Sequence, residues 1–257
     1  MTEQEVLDCI VKYERLFFLR PEHFEGRRMT IAEMVAIFNH FDAFWQYKGD
    51  PHPKKPHVLL KSLLHSNGFI VCKFVLECPR MCLLFAHEVL KAVEERMTPE
   101  GISKIDVVVS SAYSSISLGW EVARLISERY NPRVVYKEVE KDKDGNPTII
   151  RGGIDPDKNV LVINELMTTG GGSTFETRKA ALTCNGDKPG PNVLELAFVL
   201  VHRSKDLVLA DGSAVHSVFH FDIKNFEPDD CDYCKVGSEA IKPKTPKENW
   251  GRLHGRA

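Results

Sequence analysis

The chain has 257 residues, with 34 basic and 36 acidic side chains and a formal net charge of −2. Ordinary apolar and charged fractions describe a globular chain that can bury a core without disulfides, and the near-neutral charge argues against non-specific nucleic-acid binding. No apolar run reaches the roughly 18 residues of a membrane span, the opening MTEQEVLDCI carries no secretory-signal pattern, and seven cysteines, an odd number, are expected as reduced thiols in a cytoplasm.

Residues 2–20 carry helical spacing, with Val6, Leu7, Ile10, Val11 and Leu16 able to share one face. A second helix is predicted over 30–47, with Thr30 as N-cap and Glu33 three residues on. Phe38, Phe41, Phe44 and Trp45 fall at its helical spacing and read as core or interface packing. YKGDPHPKKPH (47–57) reads as a connector. In VLLKSLLHSNGFIVCKFVLE (58–77), Ser66-Asn67-Gly68 lies between two apolar runs and predicts a hairpin. A helix is expected over 79–96, with Pro79 in its first turn.

The rhythm then changes. IDVVVSSAYSSISLG (105–119) is a β-branched run followed by small residues, and 120–130 is helical. A strand follows at 133–140, a polar loop at 141–147, a strand at 160–164, a helix at 173–184 and a strand at 194–203. AVHSVFHFDI alternates like a further strand. Continuous apolar strands alternating with helices predict an α/β fold, with a doubly wound, mostly parallel sheet covered on both faces. The expected organisation is a helical extension over 1–50, a main domain over 58–243 with a small hood, and a tail over 244–257. The last ten or so residues are expected to be disordered.

VLVINELMTTGGGSTFE (160–176) concentrates the chemistry. In an open α/β sheet, ligands sit beyond the carboxyl ends of the strands. Glycines 170 to 172 allow a sharp turn and close backbone approach. The following helix offers unpaired N–H groups and a positive dipole end to a phosphate. Thr168, Thr169, Ser173 and Thr174 add hydroxyls, and Asn164 and Glu165 stand where vicinal sugar hydroxyls could be gripped. The bland alternative is an ordinary strand–turn–helix.

VLVINELMTTGGGS resembles the phosphoribosyl-pyrophosphate (PRPP) signature of type I phosphoribosyltransferases, and within that group the chain is most similar to orotate phosphoribosyltransferases. LLKSLLHSNGFIVCKFVLE is similar to their hairpin, VVVSSAYSSISLG to their pyrophosphate loop, YKEVEKDKDGNPTIIRGG to their mobile lysine-bearing loop, FVLVHRS to a Val-Asp-Arg strand end, and CDYCKVGSEAIKPK to the tail of some members. The likeness covers about 58–243. It implies displacement of pyrophosphate from PRPP by a nucleobase, most readily orotate, with Mg²⁺ assisting, in a homodimer that engages neither nucleic acid nor membrane. It implies that Thr168, Thr169, Gly170, Gly171, Gly172, Ser173 and Thr174 hold the 5′-phosphate, and that Asn164 and Glu165 hold the ribose. Residues 110–116 would face the pyrophosphate, with Ser110, Ser111, Ala112, Tyr113 and Ser114 as its direct contacts. Lys137, Lys141 and Lys143 would reach the diphosphate in a neighbouring subunit's site. Lys61, Phe69 and Arg203 would contact the base. Glu165 and the three lysines are the catalytic candidates.

The chain departs from the family at several of these positions. Asn164 replaces a carboxylate, which would weaken PRPP or transition-state binding by about 1–3 kcal/mol. Ser110-Ser111 and Ser114-Ser115 stand where the family has Gly-Pro and Gly-Gly, His202 replaces an Asp, and Leu63 replaces a hairpin glycine. A non-catalytic protein of the same fold that binds PRPP or a nucleotide is therefore the competing reading.

Cys231-x-x-Cys234 could supply half of a zinc site, with Cys78 and Cys82, or His216 and His220, as the other half. The resemblance, which places a similar cysteine pair in family tails, favours a purely structural segment. Tyr113 either packs or borders the site.

Overall fold

The computed structural model describes every residue except Ile150, Thr169, Gly170 and Ala257, together with all side chains but those of Tyr13 and Glu14. In chain order the elements are α1 (Glu3–Val11), α2 (Tyr13–Leu16), a 3-10 turn (Pro21–Phe24), α3 (Ile31–His40), β1 (Phe44–Gln46), β2 (His57–Leu59), β3 (His65–Ser66) and β4 (Gly68–Ile70). Next come α4 (Cys72–Leu76), α5 (Pro79–Arg96), α6 (Pro99–Ser103), β5 (Val107–Ser110), α7 (Ile116–Arg129), β6 (Val135–Glu138), β7 (Glu140–Lys141), β8 (Pro147–Thr148) and β9 (Asn159–Met167). The chain ends with α8 (Gly172–Leu182), β10 (Asn192–His202), β11 (Ala214–His220), β12 (Asn225–Phe226), a 3-10 turn (Pro228–Asp230), α9 (Asp232–Lys235), β13 (Ala240–Ile241) and α10 (Glu248–Leu253). Two units result: Met1–Ile37 with Cys72–Phe221, and Phe38–Val71 with Asp222–Ala257.

The first unit is built on a parallel sheet of order β11-β10-β9-β5-β6. Strand side chains alternate between the faces. Val107, Val109, Val160, Val162, Ala197 and Val199 pack with Ala180 and Ala181 of α8 on one face. On the other, Phe85 of α5 meets Phe219 of β11 edge to face at 6.2 Å. Helices on both faces explain why the strands read as unbroken apolar runs. Glu88 of α5 is buried, and its carboxylate accepts from Arg28 Nε (3.1 Å), the Met29 N–H (2.9 Å) and Lys91 Nζ (2.6 Å).

The helical spacing over 2–20 is broken at Lys12, whose φ −90° and ψ 93° leave the helical region, and Val11 is exposed. The Thr30–Glu33 capping box is present: the Glu33 N–H donates to Thr30 Oγ1 and the Thr30 N–H to Glu33 Oε2. That helix stops at His40 instead of 47, because Asp42 turns the chain at φ 51° and Phe44 and Trp45 enter β1.

In the second unit, β12-β3-β2-β13 form one sheet and β1 pairs with β4. The hairpin predicted at Ser66-Asn67-Gly68 turns elsewhere. Its turn spans Leu60 to Leu64, closed by the Leu60 N–H on the Leu64 carbonyl at 2.8 Å, while Asn67 carries the chain from β3 to β4. Leu63 holds the turn at φ 68°, in the left-handed region that favours glycine. The tail expected to be disordered is the ordered α10. Trp45 Nε1 donates to the Leu253 carbonyl at 2.7 Å, Trp250 Nε1 donates to the Asp42 carbonyl at 3.0 Å, and Leu253 is buried. Among the described residues, no helix is long and apolar enough to cross a membrane.

Candidate active site

The register of β9 positions the polar residues. Val160 and Val162 face α8, so Asn164 is carried to the same side and Glu165 to the other. β5 pairs with β9 only as far as Ser110↔Ile163, whereas β10 keeps pairing to His202↔Met167. Asn164 is the first β9 residue beyond the end of β5, beside the loop that follows β5.

Asn164 is fully buried. Its Oδ1 accepts from Ser111 Oγ (2.8 Å), Ser115 Oγ (2.7 Å) and the Glu165 N–H (2.9 Å). Its Nδ2 donates to Ser173 Oγ and Thr174 Oγ1, both at 3.0 Å. The amide's donors and acceptor are thus all engaged. Asn164 ties the loop after β5 to the first turn of α8. Glu165 is half-buried. Its carboxylate accepts from Ser114 Oγ at 2.5 Å and from Ser111 Oγ at 3.5 Å, and it lies against Ser115 Oγ. These hydroxyls hold the carboxylate in place through charge-assisted bonds.

The serines do not sit where unusual backbone angles are needed. The left-handed residue of this loop is Tyr113, at φ 68°, with its side chain 77% exposed, so it does not pack. Ser115 is right-handed at φ −92°. Ser110 is buried; its hydroxyl donates to the Ser115 carbonyl and bonds Tyr136 Oη at 2.7 Å. There α7 comes close to β5, and a Cβ on Gly119 would meet Ser110 Cβ at 2.7 Å. Ala112 is half-buried.

At the start of α8, the Gly171 N–H donates to the Thr168 carbonyl at 2.9 Å. Gly171 adopts φ 63°. A Cβ there would meet Leu209 Cδ2 at 2.8 Å, whereas one on Gly172 would meet nothing within 4 Å. Ser173 is exposed and Thr174 buried. Thr169 and Gly170 lie outside the described residues.

The lysines occupy different surroundings. Lys137 Nζ donates to the Arg151 carbonyl at 2.9 Å and to the Gly152 carbonyl at 3.3 Å. Lys141 and Lys143 are exposed. The polar loop predicted over 141–147 is the tip of a β7–β8 hairpin, with Lys141 opposite Pro147. Asp142 Oδ1 organises the turn by accepting from the N–H groups of Asp144 and Asn146.

Arg203 follows β10, is buried, and its N–H donates to the Met167 carbonyl at 3.1 Å. Burial pulls its guanidinium down to about 10. His202 is buried, bonds Ser204 Oγ through Nε2 at 2.8 Å and stacks on His220. Lys61 is exposed in the β2–β3 turn, and Phe69 of β4 meets Trp250 edge to face at 6.0 Å. Lys61 and Phe69 belong to the second unit and Arg203 to the first.

The contacts at the end of β9 therefore bring together Ser111, Ser114, Asn164, Glu165, Ser173 and Thr174. Ser115, inside the 110–116 stretch expected to face the pyrophosphate, instead touches both Asn164 and Glu165. The zinc expectation needs a correction. Cys78, Cys82, His216 and His220 all belong to the first unit, whereas Cys231 and Cys234 group with His57 and His65 inside the second.

Comparison with known proteins agrees with this architecture. No family model matches the chain. It is 32% identical over 220 residues to an orotate phosphoribosyltransferase of Pelotomaculum thermopropionicum, covering 85% of this chain and 100% of the relative. It is 29% identical over 203 residues to one from a Nitratiruptor species, covering 77% and 95%. Among solved structures, the orotate phosphoribosyltransferase of Aeropyrum pernix superposes with a TM-score of 0.51 at 19% identity, over 73% of this chain and 93% of that one. Leishmania donovani UMP synthase gives 0.55 at 17% identity, over 75% of this chain and 37% of that longer one. A full-length relative at this identity, on a matching parallel-sheet fold, assigns the chain to the orotate phosphoribosyltransferase family, with the type I phosphoribosyltransferase fold.

Proposed function

We propose that the chain transfers the phosphoribosyl group of PRPP to orotate, giving a nucleotide and pyrophosphate, as a step of pyrimidine nucleotide synthesis. The observation that carries this reading is the end of β9: a carboxylate held by serine hydroxyls, followed by a helix entered through left-handed Gly171. The N-terminus of α8, with Thr168 to Thr174, suits the 5′-phosphate. The loop from Ser110 to Ser114 suits the pyrophosphate. Glu165 suits the ribose, where its charge would stabilise the cationic sugar of the transition state. The engaged amide of Asn164 supports a positioning role, holding the loop and the helix in register. With one carboxylate in place of two, turnover is expected to be modest.

Lys137, Lys141 and Lys143 supply cations for the diphosphate, the exposed hairpin pair serving a partner subunit in a cytoplasmic homodimer. Arg203 is assigned to the base, as the strand-end motif implies, since a buried guanidinium suits an anionic base. The side-chain donors at the strand end are oxygens, namely the Glu165 carboxylate and the serine hydroxyls, and such a set fits hard Mg²⁺. Glu165 would hold the ion together with the substrate's own oxygens, and Mg²⁺ supplies charge neutralisation for the departing pyrophosphate.

The test is pyrophosphate release and loss of orotate absorbance, with PRPP, Mg²⁺ and orotate supplied together and each omitted in turn. Turnover should require all three. PRPP binding without pyrophosphate release would overturn the catalytic reading in favour of a PRPP-binding regulator.

A further inference from the structure

We infer that the second unit binds a structural zinc ion through His57, His65, Cys231 and Cys234. The ligating atoms of these four side chains lie within 4.8 Å of one another. His57 Nε2 is 3.1 Å from His65 Nδ1, 3.5 Å from Cys231 Sγ and 3.6 Å from Cys234 Sγ, and Cys234 Sγ is 3.2 Å from His65 Nδ1. A tetrahedral zinc with Zn–N near 2.0–2.1 Å and Zn–S near 2.3 Å has edges of about 3.3–3.4 Å between nitrogens and about 3.6 Å between nitrogen and sulfur. These four of the six edges agree to within about 0.4 Å of that frame, and the other two are no longer than 4.8 Å.

The surrounding bonds orient the ligands. The Ser238 hydroxyl donates its proton to the Lys55 carbonyl at 2.7 Å. Ser238 Oγ, 2.8 Å from His57 Nδ1, can then only accept there, so Nδ1 carries the proton and Nε2 turns a bare lone pair toward the cluster. Tyr233 stacks on the His57 ring at 5.2 Å. The Lys235 N–H donates to the Cys231 carbonyl at 3.1 Å, which turns the Cys-x-x-Cys, and Gly237, at φ 83°, donates its N–H to the Cys234 carbonyl at 2.9 Å just beyond it.

His57, His65 and Cys231 are buried, and four protein ligands leave no open coordination position, which marks a structural rather than a catalytic site. Two thiolates and two imidazoles in a tetrahedron suit Zn²⁺. His57 lies on β2 and His65 on β3, whereas the cysteines come from the segment that also supplies β12 and β13. The ion would clamp together the two chain segments of a unit small enough to need one; below roughly 70–80 residues a single apolar core rarely suffices. This inference does not depend on the phosphoribosyl reaction.

The test starts with full-length protein purified without chelator from zinc-supplemented cells and analysed for metal. About one zinc per chain is expected. Cys231→Ser and Cys234→Ser should fall below a tenth of that, and Cys78→Ser and Cys82→Ser should keep it. Where a serine variant fails to fold, wild-type protein is stripped and titrated with Co²⁺. Thiolate-to-cobalt charge-transfer bands should saturate at one equivalent and vanish when zinc is added. A folded wild type that takes up neither metal, a Cys231–Cys234 disulfide in freshly isolated protein, or undiminished zinc in both serine variants would overturn the proposal.

Discussion

Asn164 Nδ2 donates to Thr174 Oγ1 across 3.0 Å, and both side chains are fully buried. The bond fastens the end of β9 to the first turn of α8, and a carboxylate at 164 could hold Thr174 only by accepting from its hydroxyl, which must then turn round. Asn164→Asp keeps the acceptor for Ser111 and Ser115, loses both donors and sets a buried charge beside Glu165. It should cost about 2–4 kcal/mol, read as a lower urea midpoint. An unchanged midpoint with tighter PRPP binding would mean that the position reads the ribose directly.

Gly171 and Gly172 should behave oppositely. Gly171→Ala forces an alanine into φ 63° and drives its Cβ toward Leu209. The left-handed conformation alone costs about 1–2 kcal/mol, and PRPP affinity should fall with it. Gly172→Ala meets open space and should stay within about 0.5 kcal/mol of wild type. Equal losses at both positions would count against the geometric account of this turn.

Acid should destabilise the fold through its histidines. Burial, then neighbouring His220, lowers the pKa of His202; burial, then Arg96, lowers that of His216. The unfolded histidines therefore take up protons first, near 6.5. Stability from these groups is fully present above that pH and is lost as pH falls toward the lowered folded values. The melting temperature should drop between pH 7 and pH 5, and His202→Gln should flatten the drop. A slope unaffected by His202→Gln would refute the assignment.

If the β7–β8 hairpin delivers cations to the diphosphate, replacing both Lys141 and Lys143 with alanine should reduce turnover by roughly 10²-fold. Both side chains are exposed, so the melting temperature should hold. Mixing this variant with one disabled at Glu165 should restore part of the activity if the lysines serve a partner's site. Wild-type turnover from the double variant alone would remove the lysines from the mechanism.

Glu88 accepts from Arg28, the Met29 N–H and Lys91 while nearly inaccessible to water. Glu88→Ala leaves those donors facing a cavity and should cost about 3–5 kcal/mol. Denaturant titration decides the matter, and a loss under 1 kcal/mol would mean that the network relaxes into solvent.

The sequence alone determined the parallel α/β architecture, the α5 helix, the Thr30–Glu33 cap and the strand–turn–helix around Asn164, Glu165 and Gly171. Each is encoded in contiguous residues: an apolar run, a cap three residues from its partner, a glycine where the backbone must turn left-handed. Phe44 and Trp45 misled because helical spacing and a short strand look alike over so few residues. The turn at Leu60 to Leu64 was hidden because Leu63 occupies a left-handed position that composition assigns to glycine. Only the tertiary structure decided which polar groups meet. It engaged the Asn164 amide between a loop and a helix, anchored the C-terminal helix through Trp45 and Trp250, and set His57 beside Cys231. Those pairs are far apart in the chain, and strand register and burial, rather than any local spacing, bring them within hydrogen-bonding or metal-binding distance.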